Sequence, residues 1–170
     1  YKLKEGKQVK KSMYTVPYMI NMENVFEFYA RAILKKELEN KNYVVDKYSK
    51  KIFLEKNTSK KVSKNIHLMT YCIPDIIIRN NNGEVVAVLD AKYKSDERSS
   101  RSDSLQLLSY VLLTGSKRCG FIFPGDVTKI KKLREDEHLI VNTPFNKDTR
   151  YYELILSNNP IFSEINKIIE

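Results

Sequence analysis

Apolar residues recur at helical spacing in the first part of the chain, from residue 21 to about residue 40. Asn21 has the side chain of a helix N-cap, and the positions that follow predict a helix with one broad apolar face. That face consists of Met22, Phe26, Tyr29, Ala30, Ile33 and Leu34. Glu23 and Glu27 lie near its edge, so two carboxylates border the side of the helix that is expected to pack on the core.

The pattern then changes to short apolar runs that are typical of strands. Three such runs are 43–48, 52–55 and 66–72. The two strongest strands are predicted at 73–79 and 84–93, joined by the sequence RNNNG, which supplies the Asn and Gly that tight turns need. We therefore expect an antiparallel hairpin. Its apolar runs are nearly continuous, so both of its faces should be covered.

The remaining pattern completes an α/β arrangement. A polar loop at 95–102 precedes a helix at about 103–114, which Gly115 is suited to end. The last predicted elements are strands at 120–124, 139–141 and 151–156 and a closing helix at 161–169. This order predicts an α/β sandwich with a mixed central sheet in 21–170, preceded at 1–20 by a basic arm or the remnant of a preceding region.

Composition sets outer limits on the class of protein. With 170 residues, 42% hydrophobic and 30% charged, the chain is long enough for one domain with a real core and is not of the disordered type. Because residue 1 is Tyr, we expect a fragment or a processed chain. Cys72 and Cys119 are isolated, which is typical of reduced thiols in a cytoplasmic protein. No segment approaches the length of a membrane span.

The net charge of +9 and pI of about 9.4 favour a polyanionic partner. Nucleic acid is the first choice and an anionic membrane the second, because the Lys-rich stretch 47–64 does not have the pattern of an amphipathic helix. A solubilising lysine surface is the plain alternative. Three lysines of this stretch are candidate nucleic-acid contacts: Lys60, Lys61 and Lys64.

Candidate chemistry lies at one end of the predicted hairpin. Asp90 and Lys92 project from the same face of their strand, and Asp75 begins the partner strand. Two neighbouring carboxylates repel unless a proton or a cation lies between them, and oxygen ligands without Cys or His favour Mg²⁺ or Mn²⁺. Such a metal polarises a phosphoryl oxygen and lowers the pKa of bound water, while a lysine positions the water or stabilises developing charge. These are the requirements of phosphodiester hydrolysis.

Each of these residues also has a purely structural interpretation. Asp75 follows Pro74 at the start of a strand, and Asp90 with Lys92 forms the spacing of an ordinary ion pair. Glu27 fits the solvent edge of a helix, and Tyr110 fits a core. The spacing from Asp103 to Gln106 is that of a capping box, in which Gln106 would only close the start of its helix.

The motifs in combination resemble a known superfamily. Pro74-Asp75, then 14 residues, then Asp90-Ala91-Lys92 resembles the PD-(D/E)xK nuclease signature. Gln106 and Tyr110 resemble the Q-x-x-x-Y motif of one branch, and the stretch FEFY at 26–29 resembles the segment that supplies an upstream acidic residue. Together "PDIII", "VLDAKYK" and "QLLSY" are similar to the McrC family, the nuclease subunit of modification-dependent restriction systems. Related restriction-type nucleases with a D-A-K-Y core are equally similar.

The resemblance implies a three-layer α/β/α sandwich of the restriction-endonuclease type and assigns roles to individual residues. Asp75 and Asp90 would be metal ligands, with the Ala91 carbonyl as a third, and Lys92 would be the catalytic lysine. The upstream acidic residue would be Glu27, with Glu23 as the alternative. The supporting residues, for the site or for the DNA backbone, would be Gln106 and Tyr110. Lys94 has no role in this resemblance, and we expect it to be solvated or to bind phosphate rather than to be catalytic.

The function that the resemblance implies is Mg²⁺-dependent hydrolysis of double-stranded DNA, with Mn²⁺ as a substitute, in a cytoplasmic antiviral restriction system. An NTP-dependent, McrB-like motor subunit would be the partner, and dimerisation stays open. Two alternatives remain. One is a stand-alone nuclease for RNA or structured DNA, and the other is a non-catalytic nucleic-acid-binding or assembly module on the same fold.

Overall fold

The computed structural model describes residues 20–47, 73–94, 99–131, 140–143 and 146–169. The predicted strands at 52–55 and 66–72 lie outside these residues, as do most of the predicted arm and the candidate contacts Lys60, Lys61 and Lys64. Three α-helices are described: α1 (Met22–Leu38), α2 (Arg101–Thr114) and α3 (Phe162–Asn166). The strands are β1 (Val44–Asp46), β2 (Ile76–Arg79), β3 (Val85–Ala91), β4 (Arg118–Pro124), β5 (Lys129–Lys131), β6 (Ile140–Thr143) and β7 (Asn146–Leu156).

The strands form one mixed sheet in the order β1-β2-β3-β4-β7-β5, and β6 pairs with β7. The predicted hairpin is present, because β2 and β3 are antiparallel with Ile76 opposite Leu89. Its turn is built as the sequence indicates: the Asn80 side chain accepts the N–H groups of Asn82 and Glu84, and Gly83 has a positive φ of 79°. The neighbours β3, β4 and β7 run parallel, so their carboxyl ends meet at one edge of the sheet.

Helices cover both faces of the sheet, which confirms the three-layer sandwich with a mixed sheet. Alternation along β3 divides its side chains between two cores. Leu89 packs in a cluster with α1 and the C-terminal segment, whereas Val88 packs in a second cluster with α2. No described helix is long and apolar enough to cross a membrane.

Helix α1 begins where its sequence predicts. Asn21 is the N-cap, and its side-chain oxygen accepts the N–H groups of Glu23 and Asn24. Four side chains spaced along one face are buried: Phe26, Ala30, Leu34 and Leu38. Met22, which the pattern places on the apolar face, is 44% exposed and is the first residue of the helix.

Helix α2 begins two residues earlier than the sequence predicts. Its N-cap is Ser100, and Asp103 is the third helical residue of a complete capping box. The interpretation of Asp103 and Gln106 as a capping pair is therefore wrong, because Gln106 lies one turn inside the helix. Gly115 ends the helix with a positive φ of 66°, as predicted.

The leucines at helical spacing along α2 do not form its buried face; this stripe consists of Leu105, Leu108 and Leu112. The side chains that pack on the sheet are Leu107, Tyr110 and Val111, whereas Leu105 is 55% exposed. Leucine spacing alone did not identify the face that packs on the sheet, since the helix is apolar on more than one side.

The C-terminal part contains the predicted strands and closing helix, and one strand that was not predicted. That strand is β5, three residues with the sequence KIK at the edge of the sheet beside β7. Two lysines around a single isoleucine do not stand out as an apolar run, although charged residues are usual on edge strands.

Candidate active site

The candidate site lies at the carboxyl end of β3. Asp90 is the second-last residue of β3, and Lys92 is the first residue after this strand. Asp75 directly precedes β2, the antiparallel neighbour of β3. The backbone N–H of Ala91 donates to Oδ2 of Asp75 at 3.0 Å. The hairpin therefore brings Asp75, Asp90 and Lys92 together, as the sequence predicts.

The two carboxyl groups are in an unfavourable environment for a negative charge. Burial and the neighbouring Asp90 carboxylate raise the pKa of Asp75 to about 6. The hydrogen bond from Ala91 lowers this pKa, but its effect is smaller. Burial also raises the pKa of Asp90, although Lys92 acts in the opposite direction. Asp90 is only 2% exposed. A cation between the two groups would relieve this strain on their charged forms.

Lys92 is the cation that the site itself supplies. Its Nζ atom lies 2.7 Å from Oδ2 of Asp90, and the two groups form an ion pair. Partial burial lowers the pKa of Lys92, but the carboxylates of Asp90 and Asp103 outweigh it, so the pKa lies above its usual value. The lysine is therefore a permanent ammonium at neutral pH.

A third carboxylate, Asp103, approaches the same ammonium from α2. Its Oδ1 atom lies 3.3 Å from Lys92 Nζ. Sequence reasoning missed this role because it placed Asp103 at the helix start. The S-x-x-D spacing from Ser100 to Asp103 is a capping-box signal that would have placed Asp103 in the first turn of its helix, although not beside Lys92.

Gln106 and Tyr110 form a short chain of hydrogen bonds beside Lys92. Lys92 Nζ donates to Oε1 of Gln106 at 3.4 Å, and Nε2 of Gln106 donates to the Tyr110 hydroxyl at 2.6 Å. The same hydroxyl donates to the backbone carbonyl of Ile73 at 3.2 Å. The two motif residues therefore connect the lysine to the segment that carries Asp75.

Glu27 lies in ion pairs outside this group. It contacts Arg31, one turn later on α1, and Lys47 Nζ at 2.8 Å. Its charge contributes to the raised pKa of Asp75, so it faces the same region. Within the described ranges no three His, Cys, Asp or Glu side chains come together as metal ligands. The role of Glu27, directly or through water, stays a prediction, and Glu23 is exposed.

The donor atoms fit a hard divalent cation. Both candidate ligands, Asp75 and Asp90, offer carboxylate oxygens, and the backbone carbonyl of Ala91, the residue after Asp90, stays the predicted third ligand. Oδ2 of Asp90 is buried and lies 2.7 Å from the Lys92 ammonium, and because a carboxylate oxygen has two lone pairs, it has capacity for a second ligand. Its present neighbour is the Lys92 ammonium, which would compete with the metal for this carboxylate.

Lys94 is also part of the cluster. Its Nζ atom lies 2.5 Å from Oδ2 of Asp103, so its charge is partly neutralised within the protein. The expectation that Lys94 is solvated or binds phosphate stays a prediction, and this ion pair would compete with phosphate binding.

This fold and site define a class: a restriction-endonuclease-like α/β sandwich with two acidic residues and a lysine at the end of the central hairpin. A family model described as the McrBC 5-methylcytosine restriction system component matches residues 3–124. The chain therefore belongs to this family, and its likeness is to the McrC component.

One solved structure supports the same fold assignment. It is described as the refined half-complex from the tetradecameric assembly of Thermococcus gammatolerans McrB AAA+ hexamers with bound McrC. The match has a TM-score of 0.52 at 15% sequence identity, and it covers 89% of this chain and 32% of that chain. This chain thus spans about a third of the length of that relative. No significant match was found among curated protein sequences.

Proposed function

We propose that this chain is the nuclease part of an McrBC-type restriction system and hydrolyses phosphodiester bonds of double-stranded DNA. The observation that carries the proposal is the meeting of Asp75, Asp90 and Lys92 at one end of the hairpin. Membership in the McrBC family and the net charge of +9 support it further. A polyanionic substrate suits that charge.

Asp75 and Asp90 would hold Mg²⁺, or Mn²⁺ in its place. When bound, this cation would polarise a phosphoryl oxygen and offset the charge that develops during hydrolysis. The hydrogen bond from Ala91 to Asp75 keeps one ligand in a fixed orientation. The buried position of Asp90 keeps the other away from bulk water. Both features reduce the reorganisation that cation binding requires.

Lys92 would act as a charged hydrogen-bond donor and not as a general base. The reason is its raised pKa, which keeps the ammonium protonated at neutral pH. An ammonium at this position can donate to the attacking water or to a non-bridging phosphate oxygen. Gln106 and Tyr110 would hold the lysine chain in that orientation through their hydrogen bonds.

The partner that this proposal requires is an NTP-dependent, McrB-like motor. The neighbour structure contains McrB hexamers with bound McrC, and the family model describes a component of the same type of system. Recognition of modified DNA and movement along it would belong to that partner. The expected location of such a restriction system is the cytoplasm.

The first experiment measures cleavage of double-stranded DNA with an McrB-like motor and NTP, in Mg²⁺, in Mn²⁺ and in EDTA. Wild type is compared with Asp90→Asn and Lys92→Ala. Asp46→Asn is the matched control, because Asp46 is an exposed carboxylate on the edge strand β1. We expect cleavage by wild type and Asp46→Asn in both metals, and a loss of at least about a hundredfold in the two site variants.

A second measurement does not depend on the partner. Calorimetric titration with Mn²⁺ should give saturable binding to wild type and none to Asp90→Asn. Full cleavage by Asp90→Asn would overturn the proposal. Cleavage of RNA or structured DNA without a motor would instead favour the stand-alone nuclease, and metal-independent DNA binding that survives Asp90→Asn would favour the binding module.

A further inference from the structure

Lys92 lies between two carboxylates on different elements. Oδ2 of Asp90, at the end of β3, lies 2.7 Å from Lys92 Nζ. Oδ1 of Asp103, in the first turn of α2, lies 3.3 Å from the same Nζ atom. Gln106 adds a neutral acceptor at 3.4 Å. A small rotation of the lysine side chain therefore moves its ammonium from one carboxylate to the other.

Asp103 is held rigidly in its place. Its second oxygen, Oδ2, accepts the backbone N–H of Ser100 at 2.7 Å and lies 2.5 Å from Lys94 Nζ. This leaves Oδ1 to face Lys92. Partial burial raises the pKa of Asp103, but the contacts with Lys94 and Ser100 dominate and hold it well below its usual value. An anion in the first turn is also favoured by the helix dipole.

The arrangement raises a conflict at Asp90. Its Oδ2 atom is both the neighbour of the Lys92 ammonium and a donor to the proposed divalent cation. Two cations on one carboxylate repel each other strongly in a partly buried site. Binding of the divalent ion therefore requires that the ammonium has a second anionic acceptor within reach.

We propose that Asp103 is a positioning residue that receives the Lys92 ammonium when a divalent cation occupies Asp75 and Asp90. This inference rests on the proposed function, because it presupposes a cation at that pair. Asp103 is not one of the motif residues identified in the sequence, so its role is additional to theirs. Without the Asp103 charge, the ammonium stays on Asp90 and competes with the cation.

The test is a double-mutant cycle read by calorimetric Mn²⁺ binding, without and with a non-hydrolysable DNA duplex. The four proteins are wild type, Asp103→Asn, Lys92→Met and the double variant. Asn at position 103 can still accept the Ser100 N–H, so the helix start is retained. We expect Asp103→Asn to weaken Mn²⁺ binding about five- to tenfold in wild type and less than about twofold in Lys92→Met, a coupling typical of contacting charges.

Ser100→Ala is the matched control for a merely structural role. It removes the hydroxyl that caps α2 but keeps the backbone N–H that fixes Asp103. This variant should melt at a lower temperature with unchanged Mn²⁺ affinity. A comparable loss of Mn²⁺ affinity in Ser100→Ala would overturn the inference in favour of a general effect of the helix start.

The remaining outcomes are equally decisive. Wild-type affinity in Asp103→Asn would overturn the inference and leave the proposed function intact. An equal loss in both backgrounds would also overturn it, since Asp103 would then act on the cation directly by its charge and not through Lys92. Absence of Mn²⁺ binding by wild type, with and without DNA, would overturn the inference and the proposed metal-dependent function together.

Discussion

The backbone N–H of Ala91 donates to the Asp75 carboxylate across the hairpin at 3.0 Å. This bond ties the residue that precedes β2 to the last residue of β3, one position beyond Asp90. One oxygen of Asp75 is thereby fixed by the sheet itself, and the carboxyl group is held beside its acidic neighbour. The close approach is costly for two negative charges, which makes it measurable as a function of pH.

The first prediction is that Asp75→Asn stabilises the metal-free protein at pH 7.5. The folded-state pKa of Asp75 is about 6, above its usual 3.8, so the folded state holds the proton over a pH range in which the unfolded state has lost it. Stability is therefore fully present below about pH 4 and is lost as pH rises through about 6. Asn has no such charge and still accepts from Ala91. We expect a gain of roughly 1–2 kcal/mol, allowing for solvent screening.

The measurement is urea denaturation in EDTA between pH 4 and pH 7.5, with Asp46→Asn as the control for an exposed carboxylate. The difference between wild type and Asp75→Asn should shrink towards zero near pH 4. Saturating Mn²⁺ should reverse the order at pH 7.5, because only wild type has both ligands. Equal stability of the two proteins at pH 7.5 in EDTA would show that the ionised carboxylate of Asp75 does not destabilise the fold.

Much of the fold could be predicted because its signals are local. The Asn21 cap, the buried face of α1 and the hairpin with its Asn and Gly turn each depend on neighbouring residues. The buried face of α2 cannot be predicted from its leucines, because packing against β3 and β4 decides which side of the helix is covered. The strand β5 was missed since an edge strand of three residues has almost no apolar pattern.

The candidate site also contains residues that could be placed from the sequence and one contact that could not. Asp75, Asp90 and Lys92 could be placed together from strand alternation and hairpin pairing alone. The approach of Asp103 to Lys92 could not, because it requires the start of α2 and its position against the end of β3. Local periodicity does not contain that tertiary geometry.

The second prediction distinguishes the roles of Gln106 and Tyr110, which are hydrogen-bonded to each other on α2. Gln106→Ala removes the acceptor for Lys92 on an exposed residue, so we expect about tenfold lower turnover with less than about 0.5 kcal/mol change in stability. Tyr110→Phe removes a buried hydroxyl that donates to the Ile73 carbonyl, so it should destabilise by about 1–2 kcal/mol. DNA cleavage assays and urea denaturation provide the two readouts.

Ser109→Ala is the control on the same helix, because its hydroxyl bonds only the Leu105 carbonyl among the described contacts. It should change neither readout by more than the experimental error. Full turnover in Gln106→Ala would remove Gln106 from the set of residues that position Lys92.

The third prediction concerns Gly120 on β4, which pairs with Tyr152 on β7. A Cβ atom at this position would lie 2.1 Å from the backbone carbonyl oxygen of Tyr152, far inside a normal contact. The obstacle is backbone in a central strand pair, so relaxation is difficult. We expect Gly120→Ala to destabilise by about 3 kcal/mol or more, at the upper end of overpacking effects.

Gly83→Asn is the comparison, since nothing lies within 4 Å of its added Cβ and Asn tolerates the left-handed conformation found there. It should cost less than about 1 kcal/mol in the same urea denaturation. A small effect at Gly120 would mean that β4 and β7 are not paired in this register.

The last prediction concerns the lysines at 60, 61 and 64. If these three side chains contact phosphates, replacing all of them with Ala should flatten the dependence of log K on log salt by about one unit per lost contact. The matched control replaces three lysines that lie in ion pairs within the protein: Lys35, Lys41 and Lys167. Both variants lower the net charge from +9 by three, so bulk charge is the same in each. Fluorescence anisotropy with a DNA duplex from 50 to 300 mM salt should show the flatter slope only in the first variant. Equal slopes in the two variants would make the Lys60 group an ordinary part of the basic surface.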